Sequence, residues 1–305
     1  MTAVASHCPY CALQCAQSLS PDASGVVVEG RDFPTSRGGL CQKGWTSAEL
    51  LRTPDRLTAP LVRTAAGTLE PTTWEVALDL VADRLAAIRA EDGADAVAVF
   101  GGGGLTNEKA YQLGKFARVA LGTANIDYNG RFCMSSAAAA ANRSLGIDRG
   151  LPFPLTDLAG ADAILLLGSN VAETMPPSVA HLADVRARGG LVVVDPRRSA
   201  TAALAEGRQG VHLQPVPGTD LVVLLALLHV VLAEGLADTA YLRERTVGLE
   251  DLRRSAASWW PERAEQVCGV PASELRRVAR LLAAASPAHG GRGAILLSGR
   301  GVEQS

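Results

Sequence analysis

Six cysteines carry the clearest chemical signal in this 305-residue sequence, and four of them crowd its first 41 positions. Cys8, Cys11 and Cys15 follow a Cys-x2-Cys-x3-Cys spacing, and Cys41 stands alone downstream. Three thiolates on one tight loop and a fourth from a distance can each take a corner of a cubane iron–sulfur cluster. Zinc ribbons usually offer two Cys-x2-Cys pairs, and the second pair is missing here. A zinc site and unliganded thiols stay open as alternatives. Six cysteines are too sparse for a disulfide scaffold, and their clustering points to metal. Lys43, two residues after Cys41, could offset the negative charge of such a cluster and bridge toward a second redox centre; a solvated surface lysine is the equal alternative.

Further candidates lie downstream. Cys133 taken alone reads more readily as a small core residue than as a ligand. Gly168-Ser169-Asn170, with Glu173 behind it, closes one strand and precedes a helix, where backbone amides and the helix N-terminus can meet a pyrophosphate. An ordinary strand-to-helix turn accounts for the same residues. Asp195-Pro196-Arg197 closes the next strand, where an acid suits ribose hydroxyls. Gly218-Thr219-Asp220 precedes an apolar helix that Asp220 could merely cap. The five histidines show no ligand spacing, Cys268 reads as an incidental buried thiol, and Trp259-Trp260 as a core anchor.

The elements that must position these residues alternate. Residues 1–57 form a turn-rich unit with one short strand at 25–30, too small to hold itself together without a metal or a neighbour. The proline-rich stretch 54–60 reads as its exit linker. A helix over 72–91 follows, with Val76, Leu80, Leu85 and Ile88 near helical spacing and Thr72 or Thr73 as cap. A strand at 96–100 then ends in Gly101-Gly102-Gly103-Gly104, and a helix spans 107–121. Strands are expected at 163–167, 191–194, 211–215 and 294–297. Helices are expected at 177–187, 221–234, 249–257 and 272–285. This alternation predicts an α/β fold with a parallel, doubly wound sheet and sites at the carboxyl ends of its strands. The closing Ser298-Gly299-Arg300-Gly301 reads as a glycine loop with no helix behind it, which suggests a chain cut from a longer one.

Composition excludes several classes. Hydrophobic residues make up 48%, charged residues 20%, and the formal charge is −2, an ordinary soluble balance without the basic surface that non-specific nucleic-acid binding needs. The longest apolar run, 221–233, is interrupted by His229 and falls short of the about 20 residues that cross a bilayer. No export signal precedes the cysteines, so a cytoplasmic location is expected.

Cys8-x2-Cys11-x3-Cys15…Cys41-x-Lys43-Gly44, together with Asn125-Ile126-Asp127-Tyr128-Asn129-Gly130-Arg131-Phe132-Cys133-Met134-Ser135-Ser136, resembles the bis-molybdopterin-guanine-dinucleotide oxidoreductases. These include assimilatory and periplasmic nitrate reductases and formate dehydrogenases. The resemblance runs over essentially the whole chain. It implies a [4Fe–4S] cluster on Cys8, Cys11, Cys15 and Cys41, and Cys133 as the protein ligand to molybdenum, a soft thiolate suited to such a metal. It implies that Asn129 contacts a pterin, against which the Gly101–Gly104 loop should also lie, although some relatives carry glutamine there. Gly168, Ser169, Asn170, Glu173, Asp195, Arg197, Gly218, Thr219 and Asp220 are implied to hold guanine dinucleotide. The segments implied are 1–57 for the [4Fe–4S] domain, 58–149 for an α/β domain with the molybdenum-ligand loop, and 150–305 for a Rossmann-like dinucleotide domain whose last strand, 294–305, returns to the preceding domain.

The residue after Cys133 separates the branches. In the formate dehydrogenase branch a histidine follows the ligand and assists at the C–H bond, whereas Met134 cannot take a proton. The Cys133-Met134-Ser135-Ser136 pattern resembles the assimilatory nitrate reductase catalytic subunit more closely. That implies reduction of nitrate to nitrite by oxygen-atom transfer. Electrons would come from ferredoxin, flavodoxin or an NADH-linked partner through the Lys43 region. Formate dehydrogenase is one alternative. The other is a non-catalytic iron–sulfur electron-transfer module.

Overall fold

A computed structural model describes residues 2–23, 25–147 and 150–304. Its strands are β1 (Val4–His7), β2 (Ala16–Pro21), β3 (Val26–Gly30), β4 (Leu61–Arg63), β5 (Leu69–Pro71), β6 (Val99–Gly101), β7 (Ile126–Tyr128), β8 (Ala163–Leu167), β9 (Leu191–Val194), β10 (Gly210–Leu213) and β11 (Ala294–Ser298). Contacts divide the chain into two compact units, Met1–Pro21 with Glu29–Trp45 and Ser136–Ser305, and Asp22–Val28 with Thr46–Ser135. The boundary expected at 149/150 falls beside residues 148 and 149, which lie outside the described residues.

In the larger unit β8–β11 form a parallel sheet in the order β10-β9-β8-β11. Both faces are covered, so its strands read as continuous apolar runs. The two-residue period of a strand sends alternate side chains to opposite faces. Leu165, Leu167, Val192, Val194, Val211 and Leu213 pack with Val223, Ala226, Leu227 and Val230 of helix Asp220–Ala233, and with Leu275 and Val278 of helix Ala272–Ala284. Ile164, Leu166, Leu191 and Val193 face the other layer, against Leu158, Leu182, Val185 and Ala202.

The chain builds β8, β9 and β10 outward in one direction, then returns past β8 to lay β11 on its far side. That reversal places a topological switch point between β8 and β11. It also corrects the expectation that the last strand joins the preceding domain. Ala294–Ser298 pairs in register with Ala163–Leu167 because the open edge of β8 is the apolar slot available to it. The residues behind β11 are likewise not bare loop: Arg300–Glu303 forms one helical turn, with Gly299 N–H donating to Leu167 O at 2.8 Å.

Other expectations shift for local reasons. The segment 177–187 starts as a 3-10 helix, Pro176–Leu182, and becomes α-helical only over Ala183–Ala187, because two adjacent prolines remove N–H donors. The amino-terminal region holds three strands in the order β1-β2-β3, not one. Asp220 is the first residue of its helix, while Thr219 occupies the cap position.

The smaller unit contains the β4–β5 hairpin, helix Trp74–Asp92 and a two-stranded parallel sheet, β6–β7. Thr73 caps the helix, its hydroxyl accepting from Val76 N at 3.3 Å. No residue of this helix is buried, so the stripe at Val76, Leu80 and Ile88 is exposed. The expected strand at 96–100 is shorter and starts at Val99, because Ala94–Ala96 forms a 3-10 turn.

Candidate metal and cofactor site

The four amino-terminal cysteines are brought together in the larger unit. Cys8 N–H donates to Cys15 O at 2.8 Å and Gln14 N–H to Cys11 O at 3.1 Å, which closes the Cys8–Cys15 segment into a tight loop. Gln14 takes a left-handed φ of 47° to complete it. Cys8 and Cys15 are buried, Cys11 and Cys41 half-buried, around Leu13 and Leu40. Burial pushes the Cys8 thiol up, and charge on Cys11 and Cys41 adds to this; the Tyr10 backbone N–H and the Lys43 ammonium oppose it. Burial also pushes Cys15 up, countered first by the Ser36 hydroxyl. Thiols that feel one another and Lys43 in this way form one electrostatic group. Lys43 itself lies on the short helix Gln42–Trp45 and is exposed.

Among the described residues no group of three or more His, Cys, Asp or Glu is already arranged around a single ion. A cleft of about 300 Å³ is lined by Ser36, Gly39, Leu40, Cys41, Pro176 and Pro177. The Ser36 hydroxyl oxygen is buried with no hydrogen-bond partner. A donor left over beside ionisable thiols, with open volume next to Cys41, fits a cluster whose sulfurs accept hydrogen bonds.

His181, set aside in the sequence for lack of ligand spacing, is fully buried beside this loop. Its Nε2 is 3.0 Å from Thr35 O and its Nδ1 3.3 Å from an Arg37 guanidinium nitrogen. Only its apolar surroundings, the buried Leu182 and Val185 a few residues on, marked its segment as interior.

Cys133 belongs to the smaller unit, in the first turn of helix Gly130–Leu145, with its N–H donating to Asn129 O at 3.2 Å. Asn129 serves two loops: its Oδ1 also accepts from Gly103 N at 2.8 Å. The parallel pairing of β6 with β7 makes this possible, since both loops leave the same end of the two-stranded sheet. A Cβ at Gly130 would meet the exposed Tyr128 ring, which would have to turn aside. Arg131 Nε donates to Asp127 Oδ2 at 2.6 Å, and that bond holds the Asp127 carboxyl below its usual range. Met134 is half-buried next to Cys133.

The expected nucleotide residues all sit at the carboxyl ends of the large sheet. Gly168 has φ 58°, and its loop meets the β11 loop backbone to backbone, with Gly301 N–H donating to Gly168 O at 3.2 Å. Ser169 is half-buried on the same loop. Asn170 Nδ2 donates to Glu173 Oε2 at 2.7 Å and its Oδ1 accepts from the Thr201 hydroxyl at 2.8 Å, so both side chains are engaged within the protein. Asp195 is 6% exposed and its carboxylate accepts from Arg197 N at 2.8 Å and the Ser199 hydroxyl at 3.1 Å. It therefore braces its own turn, while the Arg197 side chain is exposed. Gly218, Thr219 and Asp220 follow edge strand β10, two strands from β8; Thr219 Oγ1 donates to Val216 O at 2.6 Å.

Residues 56–305 match the family described as molybdopterin oxidoreductase, and residues 1–52 match the molybdopterin oxidoreductase Fe4S4 domain. The chain belongs to the molybdopterin oxidoreductase family. It is 36% identical to the assimilatory nitrate reductase catalytic subunit of Bacillus subtilis over 98% of its length. It is 34% identical to formate dehydrogenase H of Escherichia coli over 100% of its length. It spans 41% and 42% of those two proteins, respectively. Acetylene hydratase from Pelobacter acetylenicus shares the fold, with a TM-score of 0.82 at 22% identity over 98% of this chain and 40% of that one. Membership of this family fixes the cofactor classes as a [4Fe–4S] cluster and a molybdenum–molybdopterin. Among the described residues no helix is long and apolar enough to cross a membrane.

Proposed function

We propose that these residues serve a molybdenum-dependent oxidoreductase that reduces nitrate to nitrite, consuming two electrons and two protons and releasing water. The observation that carries this reading is Met134 beside Cys133 on the helix that starts at Gly130. A thioether neither gives nor takes a proton, so the position next to the ligand offers no base for breaking a C–H bond. The B. subtilis relative, an assimilatory nitrate reductase, supports it. When bound, bis-molybdopterin guanine dinucleotide with molybdenum supplies two-electron oxygen-atom exchange.

The chain's own residues have distinct tasks in this reading. The Cys133 sulfur holds the metal, and Asn129 fixes the glycine loop against it through Gly103. Cys8, Cys11, Cys15 and Cys41 hold the [4Fe–4S] cluster, with the Lys43 charge offsetting their thiolates. Backbone amides at Ser169 and Asn170 receive a pyrophosphate at the switch point, on the turn that Gly168 makes possible; Glu173 orients Asn170, Arg197 supplies a cation at the end of the next strand, and Gly218, Thr219 and Asp220 border the outer edge. Segments 1–57, 58–149 and 150–305 act as cluster, metal-ligand and dinucleotide segments. A cytoplasmic setting with ferredoxin, flavodoxin or an NADH-linked protein as donor fits an assimilatory role.

The test is turnover by the protein carrying these residues. Nitrate-dependent oxidation of reduced viologen is expected, with no viologen reduction by formate. Cys133→Ala should abolish nitrate turnover while leaving the cluster absorbance, and undiminished nitrate reduction would reject the assignment. The likeness to formate dehydrogenase H supports formate oxidation as a second reading, which the formate arm decides. The match of residues 1–52 to the Fe4S4 domain supports a third, an iron–sulfur module without catalysis. Iron near four per chain without molybdenum would favour it.

A further inference from the structure

The hydroxyl of Ser36 has no partner, and everything around it is fixed. On one side Thr35 donates its own hydroxyl to Leu13 O at 2.5 Å, and its carbonyl faces His181 Nε2 at 3.0 Å. On the other side Arg37, at a left-handed φ of 49°, reaches His181 Nδ1 at 3.3 Å. A guanidinium can only donate, so Nδ1 accepts and Nε2 carries the proton given to Thr35 O. One imidazole, 0% exposed, thus grips the residues before and after Ser36. Ser36 is 4% exposed, and its Oγ is one of three buried side-chain N or O atoms without a hydrogen-bond partner among the described residues.

A buried hydroxyl held this firmly calls for an acceptor. It lines the same cleft as Cys41, and Cys8 and Cys15 lie buried beside Cys11 and Leu40. A neutral thiol accepts hydrogen bonds weakly. A charged thiolate accepts them well, as ionised acceptors do.

We propose that the Ser36 hydroxyl donates to a sulfur of the [4Fe–4S] cluster held by Cys8, Cys11, Cys15 and Cys41, and thereby raises the reduction potential of that cluster, with His181 as the positioning residue. The inference rests on the assignment of Cys8, Cys11, Cys15 and Cys41 as cluster ligands. On reduction the cluster gains one electron from the titrant and becomes more negative. A fixed donor aimed at one of its sulfurs stabilises that state more than the oxidised one.

The experiment is potentiometric titration of the anaerobically purified chain, followed by electron paramagnetic resonance, with iron and labile sulfide counted for each variant. Ser36→Ala should keep its iron yet show about a tenfold lower reduced-to-oxidised ratio at the wild-type midpoint, ~59 mV for a one-electron couple. Ser36→Thr keeps the hydroxyl and should stay within about twofold of wild type. His181→Gln should shift in the Ala direction by less. Full iron with an unmoved midpoint in Ser36→Ala overturns the proposal. If that variant takes up no iron, Ser36→Thr against the isosteric Ser36→Val repeats the comparison. Electron–nuclear double resonance of the reduced wild type then supplies the remaining arm. It must show an exchangeable proton coupled to the cluster that Ser36→Thr retains, and its absence overturns the proposal. A wild-type chain that binds no iron removes the ligand assignment, and the proposal with it, which is distinct from a loaded cluster whose potential ignores Ser36.

Discussion

Replacing Gly299 by alanine tests the switch point directly. Gly299 lies in extended backbone, φ −121° and ψ 177°, which any residue adopts, so alanine brings no torsional penalty. Its Cβ would instead press on Gly168 O and sit 2.8 Å from Ser169 Cα. Those are backbone atoms of the loop proposed to receive pyrophosphate, and they cannot swing aside as a side chain does. Relief requires the β8 and β11 loops to part, straining the Gly299 N to Leu167 O bond of 2.8 Å. Overpacking of this kind costs about 1–3 kcal/mol, and a lost hydrogen bond about 0.5–1.5 kcal/mol. Together they amount to roughly 2–4 kcal/mol, which at ~2–4 °C per kcal/mol lowers the melting temperature by roughly 5–15 °C. Gly160→Ala is the control, since nothing lies within 4 Å of its Cβ. Thermal melts of both variants by circular dichroism, with released pterin quantified, check this. Gly299→Ala melting alongside Gly160→Ala with full pterin content would refute the close backbone packing at the switch point.

Three further outcomes follow from the same structure. Leu165→Ala, at a site 1% exposed in the central strand, should lower stability by about 2–5 kcal/mol in denaturant titrations. Asp162 accepts from Arg292 N and Nε at 2.8 Å, and these bonds hold its carboxyl below the usual range. A depressed folded pKa stabilises above the unfolded value of about 3.9 and is lost as pH falls through the folded one. The melting-temperature gap between wild type and Asp162→Asn should therefore be open at neutral pH and close in strong acid. Cys268 is 0% exposed and burial pushes its thiol up, so iodoacetamide on the folded, metal-free chain should label the half-buried Cys11, Cys41 and Cys133 and leave Cys268 unmodified until denaturant is added.

The large sheet was legible because its strands are apolar on both faces and end in turn chemistry. Ala163–Leu167 and Leu191–Val194 carry their own boundaries: a run of Ala, Ile, Leu and Val stopped by Gly168 or Asp195. The short strands β1, β2 and β7 were not legible. Val4–His7 and Ala16–Pro21 mix polar and apolar residues without alternation, and their pairing depends on the loop that the cysteines close. Strand β11 was visible as a strand but not in its place. Nothing in Ala294–Ser298 names its neighbour; the slot beside β8 exists only once β9 and β10 have filled the other side. Long-range pairing is a property of the assembled sheet, and a linear pattern does not encode it locally.

The site divides along the same line. Spacing sufficed to put three cysteines on one loop, where local backbone bonds such as Cys8 N to Cys15 O hold them. It did not suffice for side chains whose partners are remote. Asp195 reads as a ribose acceptor, and its carboxylate also accepts from Arg197 N and the Ser199 hydroxyl, bonds that spacing alone does not show, while Arg197 and Arg198 are exposed on the same turn. His181 looked like nothing, yet it lies 146 positions from the Thr35 carbonyl it holds. A histidine that clamps a distant loop has no ligand spacing to find, because its task is to fix other residues. Where a motif supplies ligands, the residues that set their properties come from wherever the fold brings a donor within reach. Ser36, between two residues held by His181, is such a donor, and only its burial and its missing partner give it away.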